Sequence, residues 1–323
     1  MDVLVVGVSR IATRRLIPAL LACNDVERIH LASRRASVDV AIPDDRRGRF
    51  FSGYQEALDT LEPGLAYVSL PNALHAEWAR RALTAGFHVA VDKPAFQSLS
   101  SAAELLEAAA ARGLCLAEAT VWPFHPQVEL ARQAFADTPG GPTAIQAAFS
   151  FPPLPAADFR NDPSRGGGAL NDLGPYAVSA GRVFFGDAPE EISCRAVGRD
   201  PVTGIDTGFA LTAVHAGGRV LQGFFSFRTE YVNRVVLLGS GTAVTLDPAF
   251  TSPGAGHHDV VVRRSNVTEV HPAPAGDSFG EFVSRLVGSI GREAWSHWPR
   301  DLWQDAVWLD RAFRDAGVER HAD

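Results

Sequence analysis

The chain reads as two α/β domains. A doubly wound domain with a parallel sheet is expected over residues 1–120, and an α/β domain with a large open, mainly antiparallel sheet over 121–323. Three observations lead there. Short, nearly continuous apolar runs alternate with helix-spaced segments through the first third, as strands buried on both faces of a parallel sheet do. From residue 191 to 246, extended segments instead follow one another directly, the later ones separated by glycine turns. At 323 residues the chain is also long for a single core.

Composition narrows the function classes. The residues are 46% hydrophobic and 21% charged, ordinary for a globular protein. A net charge of -7 argues against a nucleic-acid binder, which needs a clustered basic surface. Three widely spaced cysteines, Cys23, Cys115 and Cys194, do not form a disulfide framework and suit a reducing cytoplasm. The N-terminus enters a strand without a basic leader, and no apolar run of 18 residues exists, so a cytoplasmic protein without a membrane span is expected.

In chain order, residues 3–8 form an apolar strand that feeds Gly7-Val8-Ser9-Arg10-Ile11-Ala12 and a helical pattern to about Cys23. Strand, glycine turn and helix is the context of a dinucleotide-binding (Rossmann) fingerprint. Ser9 and Ala12 replace its second and third glycines, so a plain strand–helix corner stays open as a reading. The strand over 28–32 ends in Ser33-Arg34-Arg35, where an NAD site usually carries Asp or Glu. A hydroxyl and two guanidiniums there suit the 2′-phosphate of NADP(H) over NAD(H), although the same arginines would also fit a solvated loop. Between residues 36 and 49 any second crossover helix must be reduced. The strand over 65–70 ends at Leu70-Pro71-Asn72, with His75 opening a helix; the strand over 88–91 ends in Asp92-Lys93-Pro94. Both turns fall at the carboxyl edge of the sheet, where ligands of such folds bind. A helix over 98–111 and a strand over 114–118 complete this half.

The second half centres on Gly166-Gly167-Gly168-Ala169-Leu170-Asn171-Asp172-Leu173-Gly174-Pro175-Tyr176. Each glycine costs about 1 kcal/mol against Ala inside a helix, so the three suit a sharp turn or a close approach to a ligand. A helix can start behind them, placing Asp172 and Tyr176 on one face and Asp172 in the first turn. The same residues also fit a glycine-rich loop, a capping Asp and a half-buried Tyr. Strands are expected over 144–151, 192–197, 207–214, 220–227, 233–238 and 242–246, leaving one sheet face for a partner subunit to cover. Arg160 and Arg165 flank the glycine hinge and could meet a diphosphate or lie in a solvated loop. His257-His258-Asp259 lacks a suitably spaced third ligand group, so no metal site is expected. Residues 279–316 read as helical, with Gly317 a stop.

Taken together, the Gly7 turn, Pro71-Asn72 with Leu74-His75, Asp92-Lys93-Pro94, Glu118-Ala119, His125-Pro126-Gln127 and the stretch from Gly166 to Tyr176 resemble the Gfo/Idh/MocA family of sugar-handling oxidoreductases. The resemblance implies a Rossmann domain and a substrate domain whose sheet often forms the dimer contact, hence a homodimer or homotetramer. Lys93 matches the family lysine, with Asp92 in place of the usual glutamate. Tyr176 stands where histidine is usual, as in the branch holding nucleotide-diphospho-3-ketosugar reductases, glucose-fructose oxidoreductase and dimeric dihydrodiol dehydrogenase. By the same resemblance, Gly7, Ser9, Arg10, Ile11, Ser33, Arg34, Arg35, Leu70, Pro71, Asn72, His75, Asp92 and Lys93 line the cofactor. Lys93, Trp122, His125, Gln127, Arg160, Asp172 and Tyr176 line the substrate.

Reducing a ketone by hydride needs a proton donor for the developing alkoxide and a positive group to stabilise it. A phenol near pKa 10 becomes serviceable when an ammonium lies close by. The expected catalytic set is therefore Tyr176 as acid/base, Lys93 as the tuning charge, and Asp172 to hold a substrate hydroxyl or Lys93. The leading expectation is NADP(H)-dependent reduction of a sugar ketone, with a nucleotide-linked sugar as substrate. Its alternatives are a dehydrogenase oxidising a hydroxyl of a free sugar, aminoglycoside or cyclitol, and a non-catalytic NADP/sugar sensor. Retention of both Lys93 and Tyr176 argues against the sensor.

Overall fold

The computed structural model describes residues 1–35, 38–251 and 258–320. Fourteen strands and eight α-helices appear among these residues, and they form two compact units.

In the first unit, β1 (Val3–Val6), β2 (Ile29–Ala32), β3 (Arg47–Phe51), β4 (Leu65–Val68), β5 (His88–Asp92) and β6 (Leu116–Ala119) make one sheet in the order β3-β2-β1-β4-β5-β6. Every pairing is parallel. This is the doubly wound order, with the strand sequence reversing between β1 and β4. The central strands are buried at every position because helices cover both faces of such a sheet. Those helices are α1 (Ile17–Ala22), α2 (Tyr54–Thr60), α3 (His75–Thr84) and α4 (Leu99–Ala111). Pro18 lacks the N–H that would close a regular helical turn, and a widened π-turn, Ala12–Leu16, precedes α1. Ser98 caps α4, its hydroxyl accepting from the Ser101 N–H at 3.0 Å. No helix links β2 to β3 among the described residues, as the proline and paired aspartates there suggest.

The second unit is built on an eight-stranded sheet. Its strands are β7 (Pro142–Ser150), β8 (Pro189–Arg199), β9 (Asp206–His215), β10 (Arg219–Ser226), β11 (Val232–Gly239), β12 (Thr242–Leu246), β13 (Asp259–Arg264) and β14 (Val267–Pro272), in the order β14-β13-β12-β11-β7-β10-β9-β8. Only the β7–β10 pairing is parallel. Helix α5 (Pro126–Gln133) and helix α6 (Ala169–Phe185) supply apolar residues to the core on one face, where Ile145, Phe149, Phe209, Leu211, Leu221 and Phe225 point inward. On the other face Gln146, Ala148, Thr212, Gln222, Phe224 and Arg234 line a broad groove. Phe224 is 40% exposed there.

The closing helices α7 (Ser278–Gly291) and α8 (His297–Ala316) divide differently from the single break near residue 120 that the sequence suggests. Residues 279–306 belong to the first unit and 307–320 to the second. Leu302 sits in the first core, whereas Leu309, Ala312 and Phe313 sit in the second.

All three cysteines are free and buried. Burial pushes the Cys115 and Cys194 thiols up to about 12, which suppresses the reactive thiolate. The folded protein is therefore expected to release almost no thionitrobenzoate from Ellman's reagent until denaturant is added. Rapid reaction at one equivalent or more would contradict this burial. Among the described residues no helix is long and apolar enough to cross a membrane.

Candidate active site

The nucleotide-facing features lie at the carboxyl ends of β1, β2, β4 and β5, beside the reversal in strand order. Gly7 leaves β1 with φ +88°, and a Cβ there would come within 2.5 Å of the Ser69 carbonyl oxygen. Only glycine fits such a turn. Ser9, where the fingerprint has glycine, turns its side chain onto protein. Its Oγ accepts from the Ala12 N–H at 3.0 Å and lies 2.7 Å from the Ser69 Oγ. The half-buried Ser9 thus starts the helical segment as a cap. Arg10 and Ile11 beside it are exposed. At the end of β2 the buried Ser33 hydroxyl accepts from the Arg35 N–H at 3.1 Å, shaping the loop that carries two exposed guanidiniums. Arg34 lies 5.4 Å over the Tyr54 ring, and Arg35 donates to the Val8 carbonyl at 2.9 Å. A glycine turn at the switch point and cations at the β2 terminus fit a dinucleotide bearing a 2′-phosphate.

The loop after β5 is tied down on every side. Asp92 accepts from the Tyr67 hydroxyl and the Ser69 hydroxyl, both at 2.6 Å. Burial, then the Asp92 charge, raises the Tyr67 phenol well above its ordinary value, so it stays a donor. The Ala95 N–H donates to Glu118 at 2.8 Å. His75, expected beside the cofactor, lies in the interior at this loop. It is fully buried, with ring nitrogens 2.8 Å from the Leu70 carbonyl oxygen and 2.9 Å from that of Pro94. Half-buried Lys93 sits in the middle of this fixed loop. It is the single lysine of the 323 residues, every other side-chain cation of fixed charge being arginine.

In the second unit, α6 starts directly behind Gly168, which has φ +108°. A Cβ on Gly168 would meet Asp206 Oδ1 at 2.5 Å. The helix has no cap from its own first residues, and Asp206, 36 positions on at the start of β9, supplies one: its Oδ2 accepts from the Leu170 N–H at 2.6 Å. Burial holds the Asp206 carboxyl above its ordinary value despite that bond. The folded chain therefore binds this proton more tightly than the unfolded chain. The stability tied to this group falls as pH rises from the ordinary carboxylate range through the raised value. Asp206→Asn is expected to remove that slope, while Asp206→Ala should cost about 1–2 kcal/mol by leaving the helix uncapped. Urea unfolding between pH 4 and 7 measures both. An Ala variant as stable as the parent would show that the cap is dispensable.

Asp172 lies in the first turn of α6, 7% exposed, and accepts from Arg160 Nε at 2.9 Å. Arg160 also pairs with Asp158 at 3.3 Å, and the Asp172 charge makes the guanidinium hold its proton more firmly still. Arg160 is thus engaged by two carboxylates, and the exposed Arg165 lies 5.8 Å over the Phe159 ring. One turn after Asp172, half-buried Tyr176 packs its ring against Phe149 (5.3 Å) and Phe250 (5.2 Å), which stack on each other. The other three residues expected at the substrate are interior. Trp122 is fully buried and donates its indole N–H to Ser179 at 3.0 Å. His125 accepts from the Gln127 N–H at the start of α5, and Gln127 donates to the carbonyls of Pro248 and Ala249. All three are buried in the second unit. Sequence reading missed Tyr67, Ser69 and Asp206, whose partners are 25, 23 and 36 residues away. His257 lies outside the described residues, and among those described no group of three or more His, Cys, Asp or Glu could hold a metal ion.

A dinucleotide-type sheet joined to a second unit that carries a carboxylate and a phenol on one helix face defines an oxidoreductase. Comparison with known families gives the particular one. Residues 1–120 match the model described as "Oxidoreductase family, NAD-binding Rossmann fold", and residues 130–245 match the GFO/IDH/MocA C-terminal domain. The chain belongs to the GFO/IDH/MocA family. It is 34% identical to a dTDP-3,4-didehydro-2,6-dideoxy-α-D-glucose 3-reductase of Streptomyces violaceoruber, over 89% of this chain and 84% of that one. It is 33% identical to an NADP-dependent D-xylose 1-dehydrogenase of Haloferax volcanii, over 70% of each. Among solved structures it resembles KijD10, a 3-ketoreductase of Actinomadura kijaniata in complex with NADP and TDP-benzene. The TM-score is 0.89 at 28% identity, covering 98% of this chain and 97% of that one. Variants of KijD10 with a tyrosine replaced by phenylalanine or a lysine by alanine also match, at TM-scores of 0.88 and 0.83.

Proposed function

We propose that the protein is an NADPH-dependent reductase of a keto group on a nucleotide-linked sugar. The observation that carries the reading is the likeness to KijD10, along nearly the whole chain, combined with a lysine after β5 and a tyrosine on the helix behind the glycine hinge. The Gly7 turn and the Ser33 to Arg35 loop would hold the dinucleotide, with Leu70, Pro71 and Asn72 beside it. When bound, NADPH supplies the hydride. Tyr176 gives the proton to the nascent alkoxide, and Lys93 stabilises the negative charge that accumulates on oxygen and lowers the phenol's affinity for its proton. Asp172, held by Arg160, takes a substrate hydroxyl one turn away. The open face of the eight-stranded sheet, with Phe224 exposed, would pair with a second copy in a homo-oligomer.

The likeness to D-xylose 1-dehydrogenase keeps oxidation of an unactivated sugar as a second reading. Reduced-nicotinamide absorbance separates the two. Nucleotide-diphospho-ketosugars are offered with NADPH, and free sugars, aminoglycosides and cyclitols with NADP⁺. Turnover with only the nucleotide-linked ketones supports the reductase. Turnover with only the unactivated alcohols replaces it with the dehydrogenase. Silence with both, while NADPH binds, favours a sensor.

A further inference from the structure

We propose that Ser69 is a positioning residue that couples the nucleotide turn to the lysine loop. The proposal rests on the cofactor reading above. Both residues that flank Lys93 lie against the Ser69-Leu70 dipeptide or a ring beside it: the Ser69 hydroxyl donates to Asp92 at 2.6 Å, and the His75 ring sits between the carbonyl oxygens of Leu70 (2.8 Å) and Pro94 (2.9 Å), to either of which a ring N–H can donate. The same Ser69 Oγ lies 2.7 Å from Ser9 Oγ. Bond directions along this chain are fixed. A carboxylate accepts and does not donate, so the single Ser69 proton goes to Asp92. The Ser9 proton must then go to Ser69, while Ser9 Oγ accepts from the Ala12 N–H. One serine hydroxyl thus connects the start of the π-turn after β1 to the carboxylate beside Lys93. Backbone bonding reinforces it, because the Ser69 N–H donates to the Val6 carbonyl at 2.8 Å. A glycine at position 9, as the common fingerprint has, would lack this link. Serine there is a coupling element, so that filling the nucleotide turn and placing the ammonium become one event.

The test is a double-mutant cycle on NADPH affinity, read by fluorescence quenching, with Ser9→Gly, Ser69→Ala and the pair. Ser69→Ala loses two part-buried hydrogen bonds, to Ser9 and to Asp92, and should weaken binding by roughly 2–10-fold. The pair should bind no more weakly than Ser69→Ala alone, because the bond is already broken. A second readout exploits the composition. Reductive ¹³C-methylation marks only the N-terminus and Lys93, and the Lys93 resonance should move in Ser69→Ala and return in Ser69→Thr, which keeps the hydroxyl. Independent, additive losses with an unmoved Lys93 resonance would overturn the coupling and leave the reductase reading standing. Parent protein that binds no NADPH would overturn both.

Discussion

Tyr176→Phe is expected to lower kcat by about 10²–10⁴-fold, the range for loss of a positioned general acid, and to leave NADPH affinity within about two-fold. The ring should stay where it is. It packs edge-on against Phe149 and tilted against Phe250, contacts that phenylalanine keeps, and it sits mid-helix behind a start capped by Asp206. Only the hydroxyl is lost, and with it the proton proposed to neutralise the alkoxide. A water molecule could replace it as donor without the fixed distance and orientation that make a bound acid effective. Stopped-flow single turnovers with saturating NADPH measure the step directly. A variant within three-fold of the parent rate would remove Tyr176 from the chemistry, and a variant that loses NADPH binding would show that the ring supports the fold instead.

Much of the first unit was legible because parallel strands announce themselves. Buried on both faces, β1, β4 and β5 are apolar runs that end in glycine or proline turns, and those turns mark the ligand edge. The edge strand β3 was not legible. Arg47–Phe51 has one buried residue in five, so it carries neither an apolar run nor alternation. The β13–β14 hairpin was missed for a similar reason, every residue of Val267–Pro272 being at least partly exposed. At the site, local signals sufficed where the motif is local: glycines, then Asp172 and Tyr176 one turn apart. Wherever a side chain acts across the fold, the sequence was mute. His75 looked like a helix-start residue and proves to sit between the ends of two strands. Asp206, which no local pattern singles out, caps a helix far upstream. Trp122 and Gln127 are likewise buried, and no spacing rule encodes that.

One composition signal was available and points to the largest effect expected at the other half of the site. The chain carries 30 Lys and Arg residues, and Lys93 is the only lysine among them. A sequence that uses arginine for every other cation has kept an ammonium at one place, and the two groups differ in kind. Guanidinium is planar and does not deprotonate in proteins, whereas ammonium is a compact point charge whose proton affinity responds to its surroundings. The loop around it explains the need for compactness. The Asp92 carboxylate, the Pro94 carbonyl and the Ala95 N–H each have a polar partner at 2.6–2.9 Å, an arrangement a longer, forked side chain would have to fit without disturbing. Lys93→Ala is expected to lower kcat/KM by about 10³-fold or more, since a charge preorganised at a developing oxyanion contributes on the order of 3–4 kcal/mol, and to raise KM as well. Lys93→Arg should recover little of that despite restoring the charge. The pH profile gives the sharper distinction. If Lys93 is the charge that favours the Tyr176 phenolate, as proposed, the alkaline limb for any residual reduction should move to higher pH in Lys93→Ala. Recovery by arginine to near the parent rate would mean that charge alone matters at this position and that Tyr176 is tuned by another group.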